Sequence, residues 1–370
     1  MRARDPHEPH RSATPLELLY DLCFVVAIAQ AAAALHHAIA ADHALAGVRA
    51  FGVVFFAIWW AWMNFTWFAS AFDCDDVPYR LLVLLQMAGV LVLAAGVPRA
   101  ADHLDVTLMT AGYTIMRIGM VAQWLRARRS APDHRRTAGR YALGTVLVQL
   151  GWLAALWLPP DRWLVAFGVL VPIELLVPAW AERARPTPWH AHHIAERYGL
   201  LTLIVLGESV LAATQAVQAA FADGAPCGEL LPVAIAAPMI LFAMWWLYFV
   251  DSHAHLLTSL RAAFAWGYGH LVVFAAAAAV GVGLAVAADR AAQADAVAHG
   301  SRFWAGQALS IPVAVFVLAL WLLALRGRRL LAPLLLALLA VLAAPLFPWS
   351  PLWVALALVL LLTRVVRACA

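Results

Sequence analysis

The chain has 370 residues, of which 65% are hydrophobic and only 12% are charged, and its net charge is +4. An average soluble domain has about 25% charged residues, and a mean hydropathy of +0.82 leaves too little polar surface for a soluble fold of this length. The composition therefore excludes a soluble enzyme, and a basic total in a membrane protein is typical of cytoplasmic loops rather than of nucleic-acid binding. The four cysteines show no CxxC spacing, so neither a disulfide framework nor a zinc ribbon is indicated.

Apolar segments long enough to cross a hydrocarbon core of about 30 Å recur along the chain. They predict an all-α polytopic membrane protein with about twelve transmembrane helices, whose partner is the lipid bilayer. The predicted segments are residues 16–38, 47–69, 79–98, 104–126, 140–158, 162–181, 195–217, 231–250, 263–288, 303–325, 330–348 and 351–366. The fifth and sixth segments, and the last two, are joined by very short proline-containing links, so each of these pairs could instead be re-entrant.

The positions of the arginines predict an orientation, because positive charge is retained on the cytoplasmic side of short loops. All 25 basic residues are arginine. With the N-terminus inside, nineteen arginines fall on the inner side, Arg197, Arg328 and Arg329 among them. Five fall on the outer side, while Arg117 lies within a helix. We therefore expect both termini to be cytoplasmic, and we expect the first helix to be retained rather than cleaved.

Two similar stretches predict an internal repeat. Residues 56–62 read FAIWWAW and residues 242–248 read FAMWWLY, an offset of 186 that is half the chain. Parallel repeats of six helices are a known transporter architecture. The predicted organisation is a cytoplasmic segment 1–15, a first six-helix half 16–186 and a second half 187–370. The alternative is that tryptophan-rich apolar helices match by chance.

Five ionisable side chains lie deep in the predicted helices, where such a group costs several kcal/mol unless it is paired, protonated or hydrated. They are Asp21, Arg117, Glu174, Glu208 and His270. Three acids stand against one fixed cation, so a proton, a cation or His270 would have to balance the remaining charge. This imbalance predicts a polar cavity that binds a small solute, a proton or a cation, without a cofactor. The alternative is a static polar network that only holds the helices together.

Two further acids have a structural interpretation. Glu17 stands in Thr14-Pro15-Leu16-Glu17, which has the form of a capping box with proline at the first helical position. Glu196 lies in the first turn of the seventh segment, where the positive end of the helix dipole favours a carboxylate. We expect both to cap helices rather than to carry chemistry.

A histidine-rich stretch has weak metal-site character. His192 and Glu196 are four residues apart and would share a helix face, with His193 beside them. Most of this cluster lies outside the apolar run, so we expect no metal there. The paired tryptophans Trp59, Trp60, Trp245 and Trp246 are more typical of packing or of a membrane-interface belt than of a ligand site.

Several stretches resemble the bacterial low temperature requirement protein A family. Residues 14–25 (TPLELLYDLCFV) resemble its N-terminal signature, and residues 196–200 (ERYGL) with 206–209 (LGES) resemble its central one. Tyr113 with Arg117, and residues 245–248, are also similar, so the resemblance covers residues from about 14 to 290. Leu19-Tyr20 replaces the family's usual aromatic pair before the aspartate. The resemblance implies a polytopic protein of the bacterial cytoplasmic (inner) membrane, linked by name to growth in the cold, without an established substrate.

These observations favour a transporter. No phosphate-binding loop, nucleophile elbow or dinucleotide fingerprint appears in the sequence. We expect a protein that moves a small solute or ion and is not an enzyme. An intramembrane lipid-modifying enzyme that uses the inner histidine and glutamate groups, and a structural or regulatory membrane protein, are the alternatives.

Overall fold

The secondary structure is helical throughout. The computed structural model describes residues 1–9, 11–292, 299–326 and 330–369, and no β-strand occurs in these ranges. The all-α fold class is therefore confirmed. The α-helices of the described ranges are α1 (Pro15–Ala40), α2 (Ala44–Phe72), α3 (Val77–His103), α4 (Thr107–Ser130), α5 (Arg135–Ala155), α6 (Pro160–Glu182), α7 (Ala191–Ala222), α8 (Cys227–Phe249), α9 (Leu260–Ala292), α10 (His299–Leu320), α11 (Leu331–Ala343) and α12 (Ser350–Cys369).

Each predicted apolar segment overlaps one of these helices, but not every helix has the character of a membrane span. In the described part of the chain, nine helices are long and apolar enough to cross a membrane. The more polar α4 and α5 are not among them, and α11 has only 13 residues. Twelve spans and the orientation of the termini therefore stay predictions. Arg328 and Arg329, which the inner count includes, lie outside the described residues.

The chain divides into two compact units. Unit 1 comprises Met1–Ala31 and Phe56–Arg197, and unit 2 comprises Ala32–Phe55 and Tyr198–Ala370. The three boundaries fall inside α1, α2 and α7, and each unit consists of two separate stretches of chain. The predicted division into halves at residues 186 and 187 stays a prediction.

Close helix packing in unit 1 depends on small residues. α3 packs against α4, which packs against α5, which in turn packs against α6. At the α3–α4 contact, a Cβ atom on Gly112 would lie 2.5 Å from the carbonyl oxygen of Gly89 and closer still to the backbone nitrogen of Leu93. Only glycine permits this approach, as is usual where membrane helices associate through backbone contact.

Unit 2 shows the same kind of packing. α9 packs against α10, and a Cβ atom on Gly283 would lie 2.5 Å from the carbonyl oxygen of Ala308. α8 packs against α12, and α10, α11 and α12 contact one another. A cluster of buried apolar residues lies where α7 and α9 end and α8 begins; its members include Ala220, Leu230 and Val233.

Candidate functional site

A buried ion cluster begins in the first turn of α1. Thr14 and Glu17 make the reciprocal bonds of a capping box, since the Thr14 amide donates to Glu17 Oε2 at 2.8 Å and the Glu17 amide donates to Thr14 Oγ1 at 3.3 Å. Asp21 follows one turn later on the same helix face and is fully buried. Its Oδ1 atom accepts from Trp62 Nε1 on α2 at 2.7 Å and from Arg197 Nη2 on α7 at 2.5 Å.

Glu17 also contacts three basic side chains. Its Oε1 atom lies 3.0 Å from His193 Nε2, 3.6 Å from Arg11 Nη2 and 3.8 Å from Arg197 Nη1. All of these side chains are buried. Arg11 and Arg197 balance Glu17 and Asp21, so the charges compensate one another and the cost of burying them is reduced.

The N-terminal segment extends the cluster to the end of α2. Arg11 Nη2 donates to Asp73 Oδ2 at 3.4 Å, and Arg4 Nη1 lies 3.7 Å from the same oxygen. The Arg4 amide donates to the carbonyl oxygen of Ala71 at 2.9 Å. Burial and the neighbouring Glu17 carboxylate raise the pKa of Asp73, although Arg11 acts in the opposite direction.

A second ion pair lies between α4 and α6. Arg117 pairs with Glu174, whose Oε1 accepts from Trp60 Nε1 at 2.7 Å and whose Oε2 accepts from Trp152 Nε1 at 2.6 Å. The Arg117 guanidinium also lies 4.8 Å from the centre of the Tyr113 ring, a cation–π distance. Both oxygens of Glu174 therefore have donors, and this carboxylate is held more completely than Asp21.

A small polar cavity of about 20 Å³ lies beside the second ion pair, which is room for about one water molecule. Its lining residues in unit 1 are Tyr20, Ala61, Asn64, Gln86, Tyr113, Met116, Arg117, Met120 and Thr145. The Tyr20 hydroxyl is fully buried and has no hydrogen-bond partner in the described ranges. Because Tyr20 precedes Asp21, the cavity is bordered by the cation of one pair and by the residue next to the carboxylate of the other.

The two remaining predicted residues belong to unit 2. His270 is fully buried, and its Nδ1 lies 2.8 Å from the carbonyl oxygen of Trp266 while its Nε2 lies 3.0 Å from the Tyr248 hydroxyl. The pattern fits a neutral imidazole that donates through Nδ1 and accepts through Nε2. Glu208 is half-buried on α7, and no described residue forms a hydrogen bond or ion pair with its side chain.

The three weak metal candidates have different surroundings. His192 is exposed, His193 lies against Glu17, and Glu196 Oε2 accepts from the Ala13 amide at 3.3 Å. Across the described ranges no group of three or more His, Cys, Asp or Glu side chains is placed to hold a metal ion.

Arg117 is not the only buried arginine in the described ranges. Arg197, assigned by its sequence position to the inner side, is fully buried against Asp21, and Arg11 is buried against Glu17 and Asp73. The spacing of four between His193 and Arg197 places both on one helix face and could have indicated that they contact the same partner. The sequence interpretation instead paired His192 with Glu196, one residue earlier along the chain.

Three buried or partly buried tryptophans also donate hydrogen bonds to the buried carboxylates. Trp60, which sequence reasoning assigns to packing, donates to Glu174, and Trp62 donates to Asp21. Trp152, which sequence reasoning does not single out, donates to Glu174 as well. An indole N–H within an apolar helix needs an acceptor, so nearby buried carboxylates were the available signal.

Apolar helices of spanning length, with ion pairs buried between them, define the class of the protein as a polytopic α-helical membrane protein. Within that class the chain belongs to the bacterial low temperature requirement A protein (LtrA) family, whose family model matches residues 12–368. The resemblance seen in the sequence is confirmed, and the match continues well beyond residue 290.

The chain is also similar to a relative of known sequence. The chain is 27% identical over 279 residues to the uncharacterized protein RA0937 of Rhizobium meliloti (strain 1021). The match covers 70% of this chain and 65% of that protein. The chain thus spans slightly less than two thirds of the relative's length, and neither the relative's name nor the family description states a substrate.

Proposed function

We propose that the protein moves a small solute or ion, a proton in the simplest case, across the bacterial cytoplasmic membrane through the polar cavity of unit 1. Arg117, which lines this cavity, and the paired carboxylates Asp21 and Glu174, which do not line it, are the groups that hold the moving species or the proton that accompanies it. Glu208, half-buried and without a partner in the described ranges, is a further candidate group of unit 2.

Incomplete hydrogen bonding at the first ion cluster carries the proposal. Asp21 Oδ2, Arg197 Nε and the Tyr20 hydroxyl are buried and have no hydrogen-bond partner among the described residues. Buried polar atoms nearly always have a hydrogen-bond partner. Buried atoms without one, in a membrane protein, therefore support binding of a mobile partner such as a proton, an ion or a solute. The polar cavity next to Tyr20 gives a place for that partner.

A structural role is the second candidate, and the second ion pair favours it. Glu174 has a donor at each oxygen in addition to Arg117. A carboxylate held in this way resists movement, and pairs of this kind fix helix positions without transport. The two candidates therefore make opposite predictions for flux and for stability.

Flux measurements on the full chain in liposomes distinguish the two. With a membrane potential imposed and a pH-sensitive dye inside, we expect proton flux from the wild type and its loss, to about a tenth or less, in Asp21→Asn. Tyr20→Phe removes only the hydroxyl that borders the cavity and should lower flux while the protein stays folded. Sodium, potassium and a panel of labelled solutes are tested in the same way.

Tyr79→Phe is the matched control. Tyr79 is as buried as Tyr20, and its hydroxyl also lacks a partner in the described part of the chain, but it does not line the cavity. Flux should be unchanged in this variant. If Asp21→Asn and Tyr20→Phe keep the wild-type flux, or if the wild type moves nothing and the variants only unfold at lower temperature, the transport proposal is rejected in favour of the structural role.

A further inference from the structure

A second and much larger cavity lies at one end of unit 2. Its volume is about 540 Å³, within the range of about 300–1,000 Å³ that is usual for small-molecule sites. The start of α8, the end of α9, the start of α10, the residues after α11 and the start of α12 all border it. Because spanning helices begin and end near the membrane surface, the cavity lies at the membrane–water interface.

The inner wall of the cavity is apolar and packs against other buried residues. Val233 and Ala291 line it and belong to the apolar cluster near the ends of α7 and α9. The link between α11 and α12 forms the opposite wall, where Trp353 Nε1 donates to the carbonyl oxygen of Pro348 at 3.1 Å. The aromatic side chains of Phe303, Phe347 and Trp349 complete the lining. Walls of this composition are suited to contact the apolar part of a ligand.

Two charges of opposite sign complete the cavity. Arg290, in the last turn of α9, and Glu229, in the first turn of α8, both line it. Neither forms an ion pair with the other or with any other residue in the described ranges. An arginine takes a phosphate through paired hydrogen bonds, and a carboxylate takes an ammonium group. A ligand that carries only one sign of charge would leave one of these two side chains without an opposite charge.

We infer that this cavity binds the head group and glycerol region of a zwitterionic phospholipid of the phosphatidylethanolamine type. The phosphate faces Arg290, the ammonium group faces Glu229, and the glycerol and upper acyl carbons lie against the apolar and aromatic walls. This inference stands apart from the proposed transport function, because it rests on residues of unit 2 that the polar cavity of unit 1 does not use.

Lipid titration of the purified full-length protein tests the inference. Binding of phosphatidylethanolamine and of phosphatidylglycerol is measured by native mass spectrometry. Arg290→Gln should weaken both lipids about ten-fold, the effect of losing one charge-assisted interaction. Glu229→Gln should weaken only phosphatidylethanolamine. Ala305→Trp, which fills the cavity without changing charge, should weaken both.

Arg367→Gln is the matched control, since Arg367 also lies in the last turn of a helix but does not line the cavity. α12 begins at the cavity, so its last turn is roughly 30 Å away. We expect wild-type lipid binding in this variant. Unchanged phosphatidylethanolamine binding in Arg290→Gln and Ala305→Trp overturns the inference. So does soluble phosphoethanolamine that binds as tightly as the lipid, since the site would then take a free zwitterion.

Discussion

Arg197 shows how a single side chain can hold a buried site together. Its guanidinium lies between Asp21 and Glu17, at 2.5 Å and 3.8 Å. Removing it leaves two buried carboxylates without their shared cation. Losing one partner of a buried pair costs about 3–5 kcal/mol, far more than the pair contributes when intact.

We therefore expect Arg197→Gln to lower the free energy of unfolding by about 3–5 kcal/mol. Heating the detergent-solubilised protein and following its monodisperse fraction measures the change as a shift in Tm. Adding Asp21→Asn should restore part of the loss, because the two side chains interact directly. Arg129→Gln, an exposed arginine on α4, should stay within about 0.5 kcal/mol of the wild type. Equal Tm values for the two arginine variants would contradict the buried pairing.

His253, in the loop after α8, makes stability depend on pH. Its ring packs against Trp266 and Tyr248 at centroid distances of 4.8 and 4.9 Å. Burial lowers the pKa of His253 from 6.5 to about 4, with Asp251 opposing the shift and His255 adding to it. Between these values the unfolded chain binds a proton that the folded chain does not, so the free energy of unfolding falls as the pH drops from about 6.5 to about 4.

The corresponding measurement compares Tm across that pH range. We expect the decrease in Tm on acidification to be smaller in His253→Asn than in the wild type, because the variant cannot take up the proton. His255→Asn, which changes an exposed histidine of the same loop, should follow the wild type closely. A parallel decrease in all three proteins would show that the pH dependence arises elsewhere.

The candidate site could be predicted from sequence only in part. Asp21, Arg117 and Glu174 stand out because charge is costly at membrane depth, and all three lie in buried ion pairs. Arg197 did not stand out, since an arginine near the start of α7 is equally typical of a cytoplasmic helix end. Which arginine faces inward depends on helix rotation, and the side-chain contacts that fix rotation come from distant parts of the chain.

At the scale of helices, the α3–α4 contact depends on the absence of a side chain at Gly112. Helix ends follow local chemistry, as at α3, where Asp76 accepts from the Tyr79 amide at 2.8 Å. The distance between two helices does not follow from local chemistry, because it depends on which small residues face each other. The sequence therefore locates each helix well and its neighbours poorly.

Alanine substitution tests this contact. Gly112→Ala should destabilise the protein by about 1–3 kcal/mol or more, because the new Cβ atom meets backbone atoms of α3 that cannot move aside. Gly168→Ala on α6 is the control, since a Cβ atom there meets nothing within 4 Å. The control should be neutral or more stable by up to about 1 kcal/mol, the helix preference of alanine over glycine. Similar Tm changes in both variants would argue against backbone contact.

The number of membrane crossings decides the topology of the whole molecule. An odd number, such as the nine helices of spanning character in the described ranges, puts the two termini on opposite sides. Twelve crossings put both on one side. The arginine distribution favours the second arrangement, in which α4, α5 and α11 also cross.

Reporter fusions at both ends measure this directly. We expect a fluorescent protein fused to either terminus to be fluorescent, and alkaline phosphatase at the same positions to be inactive, as in the cytoplasm. Phosphatase fused after residue 104, between α3 and α4, should be active. Active phosphatase at one terminus only would show that an odd number of helices crosses.

The internal repeat has support from the neighbours of each helix. In unit 1 α3 packs on α4, α4 on α5 and α5 on α6, while Trp60 and Phe56 of α2 contact α6. In unit 2 α9 packs on α10, α10 on α11, α11 on α12, and α8 on α12. Adding six to each helix number in the first set gives a contact of the second unit, in which α8 also contacts α9 and α10 also contacts α12. The repeat stays a prediction, and this correspondence agrees with the offset of 186 between the tryptophan-rich stretches.

The two indoles of α2 have a mechanical consequence. Trp60 and Trp62 are two positions apart, roughly 200° around the helix, and they hold carboxylates on α6 and α1 respectively. Turning α2 about its long axis would stretch both bonds at once. A rotation of α2 that breaks the bond to one carboxylate therefore also strains the bond to the other. α2 thus couples the positions of the two carboxylates.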